Sequence, residues 1–128
     1  MSDPYTNEVR ALFAAPAHAG DLEATATSEA GDPEAHVSVA VRLEAGRIAA
    51  MRFRARGCPH LIAAAEAACA ALEGKNAVEL REFSADGIRD RLAVPAEKTG
   101  RILLLEDAIR ALGRQPDGTH DLESSRED

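Results

Sequence analysis

Tryptophan is absent, tyrosine occurs once and phenylalanine three times, so aromatics make up 3% of the 128 residues. A core must therefore be assembled from Ala, Val, Leu and Ile, which one domain of this length can supply. No run approaches the roughly 20 apolar residues needed to span a bilayer. No basic stripe appears and the formal net charge is −7, which excludes a nucleic-acid backbone or an anionic membrane surface as the expected partner. The opening residues, MSDPYTNEVRALFAAP, have no basic n-region, and their apolar stretch is too short for a signal peptide. With only two cysteines, the expectation is a reducing cytoplasm and no structural disulfide. Geometry agrees: on one helix, Cys58 and Cys69 are separated by about 16 Å of rise, beyond the roughly 7 Å Cα limit of a disulfide.

Chemical signatures are also sparse. There is no Cys-x-x-Cys zinc spacing, no phosphate loop, no Ser–His–Asp set and no paired-carboxylate site. No general base is paired with a thiol in the sequence, so an enzyme is not expected.

What is present is a readable order of elements. YTNEVRALFA, residues 5–14, reads as a helix that stops before Pro16. DLEATATSEAGDP reads as a strand closed by a Gly-Asp-Pro turn. In HVSVAVRLEAGRIAAMRFRARG, Val37, Val39, Val41 and Leu43 share one face, while Met51, Phe53 and Ala55 alternate with Arg52, Arg54 and Arg56. Alternation on both sides of EAGR is a hairpin with one wet face. From Pro59 the period becomes helical, with Leu61, Ala65, Ala68 and Leu72 in register and Gly74 closing. NAVELREF is a further helical piece, and Ser84 reads as the N-cap of ADGIRDRL. AVPAEKTG is a loop, and RILLLEDAIRALG an amphipathic last helix ended by Gly113. Residues 114–128, with two Arg against five acids, read as a disordered acidic tail, leaving one domain over residues 1–113. Strands followed by helices favour an α+β layer: a three-stranded antiparallel sheet with helices packed on one face.

Cys58 stands at or beside the N-cap of the helix after the hairpin. Unsatisfied N–H groups and the helix dipole favour a thiolate there, with Arg56 able to add to the effect. A thiolate is a nucleophile, a sulfur acceptor or a metal ligand; the alternative is a small buried hydrophobe at a strand–helix junction. Cys69 lies on the Leu61–Leu72 side of its helix and reads as packing. Four histidines are available, His18, His36, His60 and His120. A mononuclear zinc or iron site would use Cys58, His60 and His36.

In this order, the pieces over residues 5–113 resemble the IscU/NifU N-terminal domain family of iron–sulfur cluster assembly scaffolds. Phe13, Pro16 and Gly20 match its Phe-x-x-Pro-x-x-x-Gly stretch. GDPEAHV stands where the family has Gly-Asn-Pro-x-Cys-Gly-Asp, Phe53, Gly57 and Cys58 match Phe-x-x-x-Gly-Cys, and Gly74-Lys75 matches its Gly-Lys. VPAEK followed by TGR stands where the family has Leu-Pro-Pro-x-Lys and a His-Cys pair.

The resemblance implies the α+β fold of that family and a role in iron–sulfur assembly. It also implies a cluster or zinc as the metal species and a cysteine desulfurase or Hsp70-type chaperone as partner, the chaperone reading Val94, Pro95 and Lys98. A monomer or weak homodimer is expected. The ligands carry over poorly. The first family cysteine falls on Ala35, the Asp on Val37, the His on Gly100 and the third cysteine on Arg101, so Cys58 alone is kept. A [2Fe–2S] cluster ordinarily takes four ligands, mostly thiolates. One chain is therefore not expected to hold a cluster alone, and Cys58 is left as a sulfur acceptor. A protein-interaction module that kept the fold and lost the chemistry is the remaining alternative.

Overall fold

The computed structural model describes residues 5–32 and 34–115. Helix α1, Asn7–Ala14, is opened by Thr6, whose Oγ1 accepts the Val9 N–H at 3.1 Å. Strands β1 (Ala26–Gly31), β2 (His36–Glu44) and β3 (Arg47–Arg56) follow. They form one antiparallel sheet in the order β1-β2-β3. Helices α2 (Pro59–Leu72), α3 (Val78–Arg81), α4 (Asp86–Arg91) and α5 (Thr99–Arg114) complete the chain. The fold is α+β with a three-stranded antiparallel sheet, as the alternation requires.

Val37, Val39 and Val41 are buried, as are Met51 and Phe53 opposite Val41 and Val39. The other face carries His36 against Arg56, Ser38 against Arg54 and Ala40 against Arg52. Ile48 is also buried although its parity differs from that of Met51. A bulge reconciles them: Arg42 pairs with Ala50 and Leu43 with Ile48, so Ala49 is the extra residue that turns the strand over.

Helices α2 and α5 cover the apolar face, α2 against β3 and α5 against β1 and β2. Apolar side chains of α5 recur as Ile102, Leu105, Ala108, Ile109 and Leu112, a single stripe at helical period. Burial on α2 goes further around the helix, taking in Leu61, Ala63, Ala64, Ala65, Ala67, Ala68, Cys69 and Leu72. A helix apolar on nearly all sides belongs in the middle of a molecule, and small Ala side chains let α1, β3 and α5 close on it. That solves the shortage of large aromatics.

Three expectations are corrected. Ser84 is not the N-cap of α4; that position is Ala85, and the Ser84 Oγ accepts the Asp86 N–H at 3.3 Å from one residue earlier. The loop expected over residues 93–100 contains a short 3₁₀ turn, Ala96–Lys98, and its last two residues, Thr99 and Gly100, belong to α5. Gly113 does not end the last helix, which runs to Arg114. The reason is packing: a Cβ on Gly113 would lie 2.5 Å from the Arg81 backbone nitrogen, so the glycine serves the close approach of α5 to α3. Of the tail expected from residue 114, Arg114 belongs to α5 and the Gln115 side chain donates to the Thr27 carbonyl at 2.6 Å. The rest, His120 included, lies outside the described residues. Among the described residues no helix is long and apolar enough to cross a membrane.

Candidate functional site

Strand β3 hands over to α2 at Gly57 and Cys58. Gly57 has φ +149 and would place a Cβ 3.2 Å from Leu61 and 3.6 Å from Ala35. Only glycine adopts this backbone without strain, and its bare Cα lets the turn before β2 press against the junction. Cys58 is the N-cap residue of α2, extended at φ −81 and ψ 160, and its carbonyl accepts from Leu61 and Ile62. Its side chain makes no capping hydrogen bond. The thiol is free and half-buried, packed along the edge of the core.

The other positions carried over from the resemblance are placed as follows. Ala35 and Val37 are buried, Val37 in the core behind the sheet. Asp32 holds the turn in front of them, its Oδ1 accepting from the Glu34 and Ala35 amides at 2.9 and 3.0 Å. Those amide bonds hold its carboxyl below the usual carboxylate range, and the Arg101 charge adds to the effect. The Arg101 guanidinium thus acts on the turn that carries Ala35. Gly100 is exposed and Arg101 half-buried in the first turn of α5.

The histidines are dispersed. His36 lies on the wet face of the sheet, with Nε2 2.7 Å from Glu29 Oε1. His60 is buried at the start of α2, with the Tyr5 ring 4.8 Å away centroid to centroid. Among the described residues, neither of its ring nitrogens has a hydrogen-bond partner. Burial pushes its pKa below the ordinary histidine value, and Lys98 pushes the same way. Lys98 closes the 3₁₀ turn that follows Val94 and Pro95, all three half-buried. Among the described residues, no three His, Cys, Asp or Glu side chains gather as a metal would need, so Cys58, His60 and His36 are not assembled into one site.

A cluster that sequence reasoning missed lies elsewhere on α2. The His18 Nδ1 is 2.6 Å from Glu66 Oε2, its Nε2 is 3.0 Å from Glu73 Oε1, and its backbone N–H donates to Glu66 Oε1 at 2.7 Å. Glu73 Oε2 also accepts the Met51 N–H and an Arg52 Nη1 proton, at 2.9 and 2.7 Å. The His18 ring and the Arg52 guanidinium thus face two carboxylates. Burial lowers the His18 pKa, but the hydrogen bonds and charges of Glu66 and Glu73 outweigh it and raise it above the ordinary value. Burial likewise pushes Glu73 up, and the Met51 amide, His18 and Arg52 overcome it, leaving it low. Cys69 sits beside this pair, fully buried, its pKa driven far upward by burial and then by the two carboxylates. It is packing, as expected. The only sequence signal for the cluster was one acid, Glu66, inside an otherwise apolar helix and a second, Glu73, at its C-cap.

The NifU-like N terminal domain family matches residues 4–114. The chain belongs to this family. Solved structures agree on the fold. A candidate iron–sulfur cluster assembly scaffold protein for the SUF system from Fervidobacterium islandicum AW-1 superposes with a TM-score of 0.70 at 14% identity, covering 87% of this chain and 97% of that one. The N-terminal part of a nitrogen-fixing NifU-like protein from Brucella abortus gives 0.66 at 15% identity, covering 84% and 90%. No curated protein sequence matches the chain. The fold is that of the NifU-like N terminal domain family, shared with these two solved structures.

At the positions to which the resemblance carries the family's other ligands stand Ala35, Val37, Gly100 and Arg101, none of whose side chains is a metal donor. Cys58 is the one soft donor left.

Proposed function

We propose that this chain serves iron–sulfur cluster assembly as a scaffold-fold protein that does not hold a cluster alone and that takes up sulfur on Cys58. One observation carries the reading. The Cys58 thiol, the one sulfur donor at the ligand positions the resemblance implies, stands at the mouth of a 14-residue helix without spending itself on a cap.

The reaction is a displacement. The Cys58 thiolate attacks the outer sulfur of a partner's persulfide, the partner's S–S bond breaks, and the partner leaves as a thiolate. The outer sulfur, with its proton, remains on Cys58 as a persulfide, with no net change in oxidation. A cysteine desulfurase is the partner this chemistry needs, and the cytoplasm supplies the reduced thiol.

The test is anaerobic incubation with a cysteine desulfurase and cysteine, read by intact and peptide mass spectrometry. The expected result is one added sulfur atom on the Cys58 peptide, none in Cys58→Ser, and full labelling in Cys69→Ala. Labelling that persists in Cys58→Ser overturns the role of Cys58. In parallel, anaerobic reconstitution with iron and sulfide is expected to leave the desalted protein colourless. Stable charge-transfer bands would show that ligands other than the family's complete a cluster site.

A further inference from the structure

Residues 15–24, the link from α1 towards β1, cross the edge of β3. Ala19 bridges Phe53 in parallel, the Phe53 N–H donates to the His18 carbonyl at 3.0 Å, and the Gly20 N–H donates to the Phe53 carbonyl at 2.9 Å. This segment is the cover on a strand edge that would otherwise present unpaired backbone. Yet none of residues 15–24 is buried, and none belongs to the apolar core or packs on it. Leu22, its largest apolar side chain, is not part of that core. Pro16, Ala19 and Gly20 of the segment line an open groove of about 400 Å³ together with Phe13, Phe53, Arg54, Ala55 and Ile62. Hydrophobic burial therefore does not hold it down.

What holds it is His18. Its two ring nitrogens each face a carboxylate, and both can donate only if both carry protons. We propose that residues 15–24 form a releasable strap, clamped to β3 and α2 by a doubly protonated His18 between Glu66 and Glu73. Loss of one ring proton frees the strap and opens the edge of the strand that leads to Cys58.

The surroundings leave no substitute for that proton. A neutral His18 turns a lone pair toward one of the two carboxylates, and the cluster becomes two negative groups against Arg52 alone. Arg52 already bonds Glu73 and the Met51 carbonyl. Glu66 is 5% exposed, so water cannot restore what it loses. Cys69, the remaining titratable neighbour, is held as a neutral thiol by its burial. At the far end, the Asp21–Arg54 pair at 2.7 Å is solvent-exposed on both sides and adds little. The apolar core lies elsewhere, so release is local, at the low end of the molecule's range of opening energies.

Native-state hydrogen exchange on the full chain tests this, read at the Phe53 and Gly20 amides with the β2–β3 ladder amides as internal reference. After correction for intrinsic exchange, protection of the two strap amides is expected to fall about tenfold per pH unit. The fall begins at the ordinary histidine value of 6.5 and levels off at the raised value of folded His18. His18→Gln is expected to show low protection that no longer varies with pH, and Arg54→Ala to leave the wild-type profile in place. The strap is overturned if Phe53 and Gly20 follow the ladder amides through this window in the wild-type protein. It is equally overturned if the pH dependence survives in His18→Gln or disappears in Arg54→Ala.

Discussion

His60 carries a local conflict: an imidazole buried to 1% exposure whose two nitrogens are both unpartnered among the described residues. A buried polar group without a partner is destabilising, and an apolar group of similar shape removes the penalty. His60→Leu is therefore expected to raise stability by about 1 kcal/mol, seen as a higher denaturant midpoint at unchanged slope. A loss of stability would show that the imidazole is hydrogen-bonded in solution. Cys58, two residues earlier, has the opposite character, half-buried and uncommitted. Its position at the helix mouth was legible in the Gly-Cys-Pro stretch because Pro59 marks a first helical turn. The fate of His60 was not legible, since the first turn of a helix does not say which neighbours close over it.

Among the elements, the approach of α5 to α3 depends on one missing side chain. Gly113→Ala improves helix propensity by about 1 kcal/mol, but its Cβ would meet the Arg81 backbone nitrogen at 2.5 Å. Backbone cannot yield as a flexible side chain can, so the clash wins. The expected outcome is a net loss of about 1–3 kcal/mol, the range for overpacking, measured by chemical denaturation. The sequence offered Gly113 as a helix stop, the ordinary meaning of a glycine after an apolar stripe. Tertiary packing gave it a different task. On α2 the apolar period showed one face, and only the arrival of α1, β3 and α5 buried the others, Glu66 among them.

Across pH 4–9 the molecule's stability varies with pH through His18, His60 and Glu73, whose shifts act in different directions. The folded pKa of His18 is raised, so its contribution is full below 6.5 and is lost as pH rises through the higher folded value. The folded pKa of His60 is depressed, so its contribution is full above 6.5 and is lost as pH falls toward the lower folded value. Glu73 is lowered, and its contribution falls away below 4.5. The three together place maximum stability near pH 6.5. Urea denaturation across pH 4–9 is expected to show that maximum, with the alkaline limb flattened in His18→Gln and the limb between 4.5 and 6.5 flattened in His60→Leu. A pH profile unchanged by both substitutions would remove these histidines as its cause.

Period-2 alternation across EAGR, the change of period at Pro59 and the stripe on RILLLEDAIRALG determined the hairpin, the two main helices and hence the α+β layer. Each is a local pattern that demands one buried face. Cys58 at the junction could likewise be read from the Gly-Cys-Pro stretch. What only the tertiary structure decided are relations between residues far apart in the chain: His18 with Glu66 and Glu73, Gly113 with Arg81, Gly57 with Ala35. Such pairs leave no periodicity. They arise when apolar faces chosen by local pattern come together and the polar groups caught between them must find partners in place of water.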